Sequence, residues 1–220
     1  MNKIISIAGW VFAGILLASA AEAGGVALSG RASSLGLGLE LTAGLSDRIN
    51  VRLGGNAFSY DRTFKQDQDE FGLDIKFRSL TALLDVHPFG GGFRLSGGLV
   101  SNGNEAALTG QSTSDYDIGN SRYSASDVGA LTGTVDFKKA AAYAGIGWGN
   151  AVRAGRKLGV VFDTGVVFQG SPNVTLSANG PIAGDPGFQQ DLRQEELNIE
   201  DDAHQFKYYP VFSLGISYKF

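Results

Sequence analysis

Residues 204–220, HQFKYYPVFSLGISYKF, alternate apolar residues with small or polar ones up to the end of the chain. A period of two over this length is typical of a β-strand with one apolar and one polar face. Aromatic residues lie near both ends of the apolar face, from Phe206 and Tyr208 to Tyr218 and Phe220. A strand that crosses a bilayer in a closed barrel has this pattern, with lipid outside, a polar lumen inside and aromatic rings at both interfaces. The segment therefore predicts a transmembrane β-barrel.

The N-terminal segment has the pattern of a secretory signal peptide. Lys3 precedes a mostly apolar stretch over residues 4–20, and residues 21–23 read Ala-Glu-Ala. Small residues at the first and last of these positions are what a signal peptidase recognises. We predict a cleaved signal peptide over residues 1–23 and a barrel domain over residues 24–220. Residues 18–20 are a competing cleavage site, and an uncleaved anchor helix is the alternative.

The composition of the rest of the chain is compatible with a barrel and excludes several other classes. No other stretch is apolar for long enough to span a bilayer as a helix, and only helices and closed barrels satisfy every backbone group in lipid. The chain has 32 glycines and no cysteine, which excludes a disulfide framework and thiolate metal sites. Its net charge of −4 argues against nucleic acid as a partner. We predict no metal and no cofactor.

The connectors between the apolar segments differ in length. Three are short: residues 46–50 (SDRIN), 87–92 (HPFGGG) and 149–157 (GNAVRAGRK). Three are longer and polar: residues 62–70, 104–133 and 171–203. Outer-membrane barrels have short periplasmic turns and longer extracellular loops. The sequence therefore predicts the cell outer membrane as the location.

Alternation places seven strands, at residues 35–45, 51–60, 71–86, 93–102, 134–148, 158–169 and 205–220. Single-chain bacterial barrels have even strand numbers, so we place an eighth strand at residues 26–32. Apolar residues occupy even positions at Val26 and Leu28 but odd positions from Leu35 onward. This flip indicates either a tight turn or a β-bulge in one long strand. With a turn, the chain forms an all-β fold, an eight-stranded antiparallel barrel.

The positions opposite the apolar face are predicted to line the lumen. Their charged members are Glu40, Arg52, Asp74, Lys76, Arg78, Arg94, Asp163 and Lys207. Asn56, Ser96, Asn102, Gln169 and Tyr209 share this parity, and Asp85 does so provided that the pattern slips once between Arg78 and Leu80. Side chains can fill an eight-stranded barrel, so these charges either form a structural ion-pair network or line a narrow path for solutes.

The last long connector is strongly acidic. It contains Asp191, Glu195, Glu196, Glu200, Asp201 and Asp202. Outside the cell such a cluster draws cationic solutes to the barrel mouth or binds divalent ions that bridge lipopolysaccharide. The alternative is a solvated loop that its charge keeps soluble.

Several segments together resemble a known family. They are LGLGLELTAGLSDRINVRLGGNAFSY, LLDVHPFGGGFRLSGGLVSNGN, FKKAAAYAGIGWGN and FKYYPVFSLGISYKF, with the Gly170-Ser171-Pro172-Asn173-Val174 step between the last two. The chain resembles small Gram-negative outer-membrane barrels, and among them the carbapenem-resistance-associated barrels. The resemblance implies an eight-stranded barrel, an acidic helical segment before the last strand, and uptake of small cationic amino acids. It transfers no binding residue.

Three functions remain open from the sequence. The first is a narrow channel for small solutes, cationic ones included, and the second is a non-conducting barrel that supports envelope integrity. The third is a lipid-modifying enzyme in which His204 activates Ser33 or Ser34, whereas His87 is interpreted as a turn residue. We favour a monomeric, non-enzymatic barrel whose partners are outer-membrane lipid, lipopolysaccharide and small cationic solutes.

Overall fold

Eight antiparallel strands close into a barrel, and the other strands and helices lie outside it. The structure is a computed structural model that describes residues 24–66 and 69–220, so the predicted signal peptide lies outside the described residues. The first half of the chain contains β1 (Val26–Ser33), β2 (Gly36–Ser46), β3 (Ile49–Gln66), β4 (Asp69–Val86), β5 (Phe93–Asn102), β6 (Glu105–Gln111), β7 (Tyr116–Ile118), β8 (Ser121–Tyr123) and α1 (Ala125–Val128). The second half contains β9 (Leu131–Asp136), β10 (Ala140–Trp148), β11 (Leu158–Phe168), β12 (Asn173–Ala178), a 3₁₀ helix (Pro181–Gly184), α2 (Pro186–Asp202), a second 3₁₀ helix (Ala203–Lys207) and β13 (Tyr208–Lys219).

The barrel wall runs in the order β1, β2, β3, β4, β5, β10, β11 and β13. It closes where β13 pairs with β1, from Ala27 opposite Lys219 to Ser33 opposite Ser213. Every pairing in the wall is antiparallel. The predicted eight-stranded antiparallel barrel is confirmed.

The first hairpin explains the flip in the alternation. Ser33 pairs with Gly36, so Ser34 and Leu35 form a two-residue turn and there is no bulge at this point. Gly36 has φ +111°, a left-handed conformation that a residue with a side chain rarely adopts. A Cβ at this position would also lie 2.7 Å from the carbonyl oxygen of Ala57. The turn therefore requires glycine directly after Leu35.

The connectors separate by length onto the two ends of the barrel. The turns after β2, β4 and β10 lie at one end together with Gly24 and Phe220, which we call the turn end. The His87 N–H donates to the Arg48 carbonyl oxygen at 2.7 Å and ties two of these turns together. The first hairpin and the long connectors lie at the opposite end, the loop end.

Several of the predicted boundaries differ from the structure, and the predicted connectors at residues 104–133 and 171–203 contain short strands and helices. Most of residues 62–70, predicted as a loop, continues β3 and β4, each of which has 18 residues. β2 stops pairing with β3 at Ala57, and β5 stops pairing with β4 at Ser79. Residues 58–66 therefore extend beyond the barrel by about 30 Å. The predicted strand at residues 134–148 is divided between β9, outside the barrel, and β10, in its wall.

The extended part of β4 begins a second sheet outside the barrel. β6 pairs with β4, β9 pairs with β6, and β12 pairs with β9, so with β3 the sheet has five strands. We call it the external sheet. Because β4 belongs to both structures, the barrel and the external sheet share a continuous strand.

Helix α2 covers the β12 edge of the external sheet. The Asp185 carboxylate caps the helix by accepting from the N–H groups of Gly187 and Phe188, and Pro186 occupies the first turn. Phe188 and Leu192 of the helix form a buried cluster with Ile118 and Val128. The external sheet, β7, β8, α1 and α2 together form the external lobe. Within the described ranges, no helix has the length and apolar character needed to cross a membrane.

Candidate functional site in the barrel lumen

Six charged side chains meet in the middle of the lumen. They are at inward-facing positions of six different strands: Arg31 on β1, Glu40 on β2, Arg52 on β3, Asp85 on β4, Arg94 on β5 and Asp163 on β11. None is more than 8% exposed. Since alternate residues of a strand point to opposite faces, one inward position per strand brings the three arginines and three carboxylates together at one level.

The six side chains form a continuous ion-pair network. Arg31 Nη1 lies 2.5 Å from Glu40 Oε1, and Arg31 Nη2 also contacts Asp163 Oδ2. Arg52 Nη1 lies 3.1 Å from Glu40 Oε2, and Arg52 Nε lies 2.7 Å from Asp85 Oδ2.

Arg94 joins the two remaining carboxylates of the network. Its Nη2 lies 2.8 Å from Asp163 Oδ1, and its Nε lies 3.6 Å from Asp85 Oδ2. Every member thus has at least two partners of opposite charge, and three guanidinium groups balance three carboxylates. Buried charges are tolerated in a protein when they are paired in this way.

Two serine hydroxyls of the barrel wall form hydrogen bonds with members of the network. The Ser96 hydroxyl donates to Asp85 Oδ1 at 2.7 Å and accepts from Arg52 Nη2 at 3.0 Å. The Ser213 hydroxyl accepts from Arg31 Nε at 2.9 Å. These bonds fix the rotamers of the arginines, so the network is attached to the wall on several sides.

A polar layer fills the lumen between the network and the turn end. The imidazole of His87 is fully buried, and its Nε2 lies 3.1 Å from Asn50 Nδ2. Its Nδ1 lies 3.1 Å from the carbonyl oxygens of Gly91 and Phe93. These partners assign a neutral ring that accepts at Nε2 and donates at Nδ1. His87 therefore lies at a turn, as predicted, and its ring helps to fill the lumen at the turn end.

An apolar layer fills the lumen on the loop-end side of the network. It consists of Leu35, Leu83, Val100, Ala141, Tyr143, Val167 and Val211, with Tyr209 packed against it. On β4, β5, β11 and β13 these residues are nearer the loop end than Asp85, Arg94, Asp163 and Ser213, respectively. A cavity of about 40 Å³ remains beside the network and the apolar layer, and Arg31, Glu40, Tyr143 and Asp163 are among the residues that line it. Since one water needs about 10–15 Å³ by this measure, the cavity has room for a few waters only.

The Tyr143 side chain lies along the inside of the wall over two glycines, Gly145 and Gly165. A Cβ at Gly145 or Gly165 would overlap its ring, because both glycines face inward beneath it. At Gly147 a Cβ would lie 2.7 Å from Asp163 Oδ1 and 2.8 Å from Arg94 Nε. The glycines of β10 and β11 thus provide the space that the filling side chains occupy.

A hydrogen-bonded rim lies above the apolar layer. Asn102 Nδ2 donates to Gln169 Oε1 at 3.1 Å, and Gln169 Nε2 donates to the Phe206 carbonyl oxygen at 2.9 Å. The Tyr209 hydroxyl donates to the Ser34 carbonyl oxygen at 2.6 Å. From the loop end to the turn end, the lumen therefore contains a polar rim, an apolar layer, a neutral ion-pair network and a second polar layer.

Comparison with known proteins identifies the fold of this filled barrel. No model of a known protein family matches the sequence, and no curated protein matches it by sequence. Two solved structures superpose on 89% of this chain and 98% of their own. They are CarO2 of Acinetobacter baumannii, at a TM-score of 0.59 and 18% identity, and CarO of the same organism, at 0.56 and 19%. The chain has the CarO barrel fold. The resemblance inferred from the sequence is confirmed at the level of the fold, which is what a likeness at this identity shows.

The structure brings four of the eight predicted lumen charges into the network and places the other four elsewhere. Glu40, Arg52, Arg94 and Asp163 are network members. Lys207 lies in the second 3₁₀ helix, with its Nζ 5.2 Å from the centroid of the Tyr208 ring. Asp74, Lys76 and Arg78 lie beyond the barrel, on the part of β4 that belongs to the external sheet or borders it.

The displaced residues of β4 have a physical explanation. The register between β3 and β4 is continuous, so the expected slip between Arg78 and Leu80 does not occur. Asp74, Lys76 and Arg78 therefore share a face with the outward-facing Leu80 and not with the buried Ser79. Lys76 and Asp74 pair at 2.8 Å with both side chains 41% exposed. Once β4 leaves the barrel, its outer face no longer has to be apolar, and the polarity of the two faces inverts.

One network member, Arg31, was missing from the predicted lumen residues, and a second, Asp85, was included only on the assumption of a slip in β4. Arg31 shares the odd parity of Ala27 and Ser29, opposite to Val26 and Leu28, so the alternation of the first strand was the signal for it. Asp85 has the inward parity without such a slip. The register of β4 resolves its position, because Asp85 pairs across the wall with Ser96 of β5.

The acidic segment is largely helix α2, and four of its six carboxylates accept hydrogen bonds within the external lobe. Glu196 Oε1 accepts from the Leu176 N–H at 2.6 Å, and Glu200 Oε1 accepts from the Val174 N–H at 2.9 Å. These two carboxylates cover the open edge of β12. Edge strands expose unpaired N–H groups, and covering them prevents pairing with another chain.

The other two bonded carboxylates of helix α2 face the hairpin of β7 and β8. Glu195 Oε2 accepts from the Gly119 N–H at 3.2 Å, and Asp191 Oδ2 accepts from the Tyr123 hydroxyl at 2.7 Å. Hydrogen bonds from Ser121 and Tyr123 lower the pKa of Asp191, and the bond to Asp191 raises the pKa of Tyr123. Asp201 and Asp202 are exposed. The four bonded carboxylates of the segment therefore hold the lobe together.

The histidine and serines considered for catalysis have other neighbours. His204 Nδ1 lies 3.8 Å from Asp201 Oδ1, and the Ser34 hydroxyl donates to the Pro210 carbonyl oxygen at 3.1 Å. Over residues 24–66 and 69–220, no hydrogen bond joins His204 to Ser33 or Ser34, and no group of three or more metal-ligating side chains is arranged around a common point.

Proposed function

We propose that the chain is an outer-membrane protein whose barrel is a closed, non-conducting anchor for the external lobe. The observation that carries this proposal is the filled lumen, in which an apolar layer and a neutral ion-pair network lie in series. The barrel supplies attachment to the membrane and the lobe supplies the surface that faces outward.

The outward-facing surface supports a membrane location. Many apolar residues of the barrel wall are between 47% and 69% exposed, among them Leu37, Leu39, Leu80, Leu99, Ile146, Val160, Phe212, Leu214 and Ile216. Phe168 and Tyr208 pack edge-to-face at the loop end, and Phe93 and Trp148 do so at the turn end. On β13 the distance from Tyr208 to Tyr218, at the usual strand tilt, corresponds to a band about 25 Å tall. This height matches the hydrocarbon region that such barrels cross.

The lumen network disfavours a permanently open path. A solute would have to separate charges that are paired on several sides, and breaking a buried ion pair costs about 3–5 kcal/mol. Selective pores use rings of charge of one sign, whereas this network has equal numbers of both. The apolar layer would have to move as well. The narrow-channel hypothesis thus needs a large rearrangement, and the non-conducting hypothesis needs none.

Liposome swelling tests the proposal directly. The purified protein is reconstituted and challenged with lysine, arginine and ornithine, beside protein-free liposomes and liposomes that contain a general porin. We expect swelling at the protein-free rate, with insertion verified by a migration shift on heating in detergent electrophoresis. Swelling above the protein-free rate by correctly inserted protein would overturn the closed barrel and favour the channel.

A structural role in the envelope is the cellular counterpart of a closed barrel. We expect deletion to increase sensitivity to detergents without changing uptake of cationic amino acids or the mass of lipid A. Unchanged detergent tolerance would contradict this role, and altered lipid A would favour the lipid-modifying enzyme.

A further inference from the structure

A groove of about 530 Å³ lies on the outer surface of the barrel at the turn end. One side is apolar and consists of Trp148, Leu158, Val160 and Ile216. The other side is formed by the turn between β10 and β11, which contributes Arg153 and Arg156. The volume is in the range of pockets that hold small molecules.

The groove exists because β11 is longer than β10 at this end. The pairing between the two strands ends at Trp148 opposite Phe162, while β11 continues to Leu158 and pairs only with β13. The turn then passes beside the exposed end of β11. At Gly149, with φ +105°, a Cβ would overlap the Val160 carbonyl oxygen. Glycine at the start of the turn therefore allows the chain to leave β10 without filling the groove.

The two arginines at the groove are unpaired, in contrast to those of the lumen. Residues 149–157, GNAVRAGRK, contain three basic residues and no acidic one. Arg153 and Arg156 are exposed and form no ion pair with any described residue. The Trp148 ring is 64% exposed, and its indole N–H has no hydrogen-bond partner in the described part of the chain. The two guanidinium groups and the indole N–H therefore lie beside the apolar wall, and none of them has an acceptor among the described residues.

The turn that carries the arginines is fixed to the barrel. The Lys219 ammonium group donates to the Val152 carbonyl oxygen at 2.7 Å and to the Gly24 carbonyl oxygen at 3.2 Å. The Gly149 N–H donates to the Gly92 carbonyl oxygen at 2.9 Å. These bonds hold the backbone of the basic turn beside the apolar wall, so the two sides of the groove keep their relative positions.

We propose that this groove binds an anionic phospholipid of the periplasmic leaflet. The headgroup phosphate lies between the Arg153 and Arg156 guanidinium groups and accepts from the Trp148 N–H, and an acyl chain lies along Val160 and Ile216. Guanidinium groups recognise phosphate through paired N–H donors, and tryptophan favours the headgroup level of a bilayer. The inference rests on the proposed membrane location, because it takes the apolar wall to face acyl chains.

Trp148 itself provides the measurement. It is the only tryptophan after residue 23, so Trp10→Phe makes it the only one in the whole chain. The protein is reconstituted into phosphatidylcholine mixed with increasing fractions of phosphatidylglycerol, with bromine on the acyl chains of one lipid at a time. Quenching of Trp148 by each brominated lipid gives their relative affinity at the groove. We expect phosphatidylglycerol to bind at the groove about tenfold more tightly than phosphatidylcholine, because each basic residue near a membrane surface favours anionic lipid several-fold.

A matched pair of variants separates the groove from general effects of charge. The R153Q/R156Q double variant is expected to lose the preference for phosphatidylglycerol over phosphatidylcholine. The K138Q/K139Q double variant, which removes two charges at the loop end, is expected to keep it. A heat-induced migration shift verifies folding of each variant. Equal quenching by both lipids, or a preference that survives R153Q with R156Q, overturns the lipid site while the membrane location stands. Absence of quenching by either brominated lipid would instead contradict the membrane location.

Discussion

In the barrel lumen the carboxylates of Glu40, Asp85 and Asp163 are paired with arginines, whereas in the external lobe those of Glu196 and Glu200 accept from backbone N–H groups. The lumen has a charged centre and the barrel has an apolar exterior. The lobe has an apolar centre and an acidic exterior. Both arrangements satisfy buried polar groups, but the solvent differs. In lipid the apolar residues belong outside, and in water they belong inside.

β4 shows this difference within a single strand. Between Ser79 and Val86 its outward positions are apolar and its inward positions include Asp85. Between Asp69 and Arg78 the same outward parity carries Asp74 and Lys76. The strand has no register shift at the boundary, so the inversion marks where the chain passes from one environment to the other.

Removal of the most connected lumen charge should have the largest effect. Arg52 bonds to Glu40, Asp85, Asp163 and Ser96, so Arg52→Ala leaves paired carboxylates without their shared partner. We expect the free energy of unfolding of the barrel to fall by about 3–5 kcal/mol. Urea unfolding in detergent micelles measures it.

Arg122→Ala is the matched control for Arg52. Its side chain is 68% exposed in the lobe and lies 3.3 Å from Asp115, so we expect a change of about 0–1 kcal/mol. Equal stability of the two variants would mean that the lumen network does not hold the barrel together.

The next largest effect is expected in the core of the lobe. Phe188 is fully buried and packs edge-to-face on Tyr123 with ring centroids 4.9 Å apart. Phe188→Ala should destabilise the lobe by about 3 kcal/mol through the cavity that it leaves. Limited proteolysis should cleave the lobe while the barrel keeps its heat-induced migration shift. Loss of the shift would show that the lobe and the barrel unfold as one unit.

The sequence predicted the barrel better than the lobe, and the reason is physical. A barrel strand in lipid must be apolar on one whole face. The alternation of apolar and polar residues alone therefore predicts β2, β5, β11 and β13. The external sheet has short strands whose faces are only partly covered, so β6, β9 and β12 have no comparable signal. Only the pairing register shows where β4 changes environment, and single-strand alternation therefore suggested a slip that does not exist.

The lumen site was predictable to the extent that strand parity determines it. Glu40, Arg52, Arg94 and Asp163 follow from parity because each lies on a part of its strand that is paired within the barrel wall. The bonding of the acidic segment was not predictable. A carboxylate that caps an edge strand has the same sequence pattern as one in water, and only the tertiary contact of helix α2 with β12 distinguishes them.

Removal of the two carboxylates that cover the edge of β12 should have a smaller, local effect. Glu196→Ala with Glu200→Ala removes two charge-assisted hydrogen bonds from the Leu176 and Val174 amides, and each such bond contributes about 1.5–3 kcal/mol when well shielded. At this partly open edge we expect hydrogen exchange of both amides to accelerate about tenfold. Asp201→Ala with Asp202→Ala is the control and should leave exchange unchanged. Equal exchange in both double variants would show that the helix does not protect the edge.

The smallest expected effect is a pH dependence confined to the lobe. Hydrogen bonds from Ser121 and Tyr123 lower the pKa of Asp191, and the Thr113 N–H lowers the pKa of Asp69. A carboxyl whose pKa is lower in the folded state stabilises that state above its unfolded pKa, near 4, and loses this contribution as the pH falls through the folded value. Proteolytic cleavage of the lobe should therefore accelerate below about pH 4, measured with an acid-active protease against an unfolded reference substrate. Asp191→Asn with Asp69→Asn should be less stable at pH 7 and should show a flatter pH profile, because neither amide titrates. An unchanged profile in this double variant would assign the acid sensitivity to other groups of the lobe.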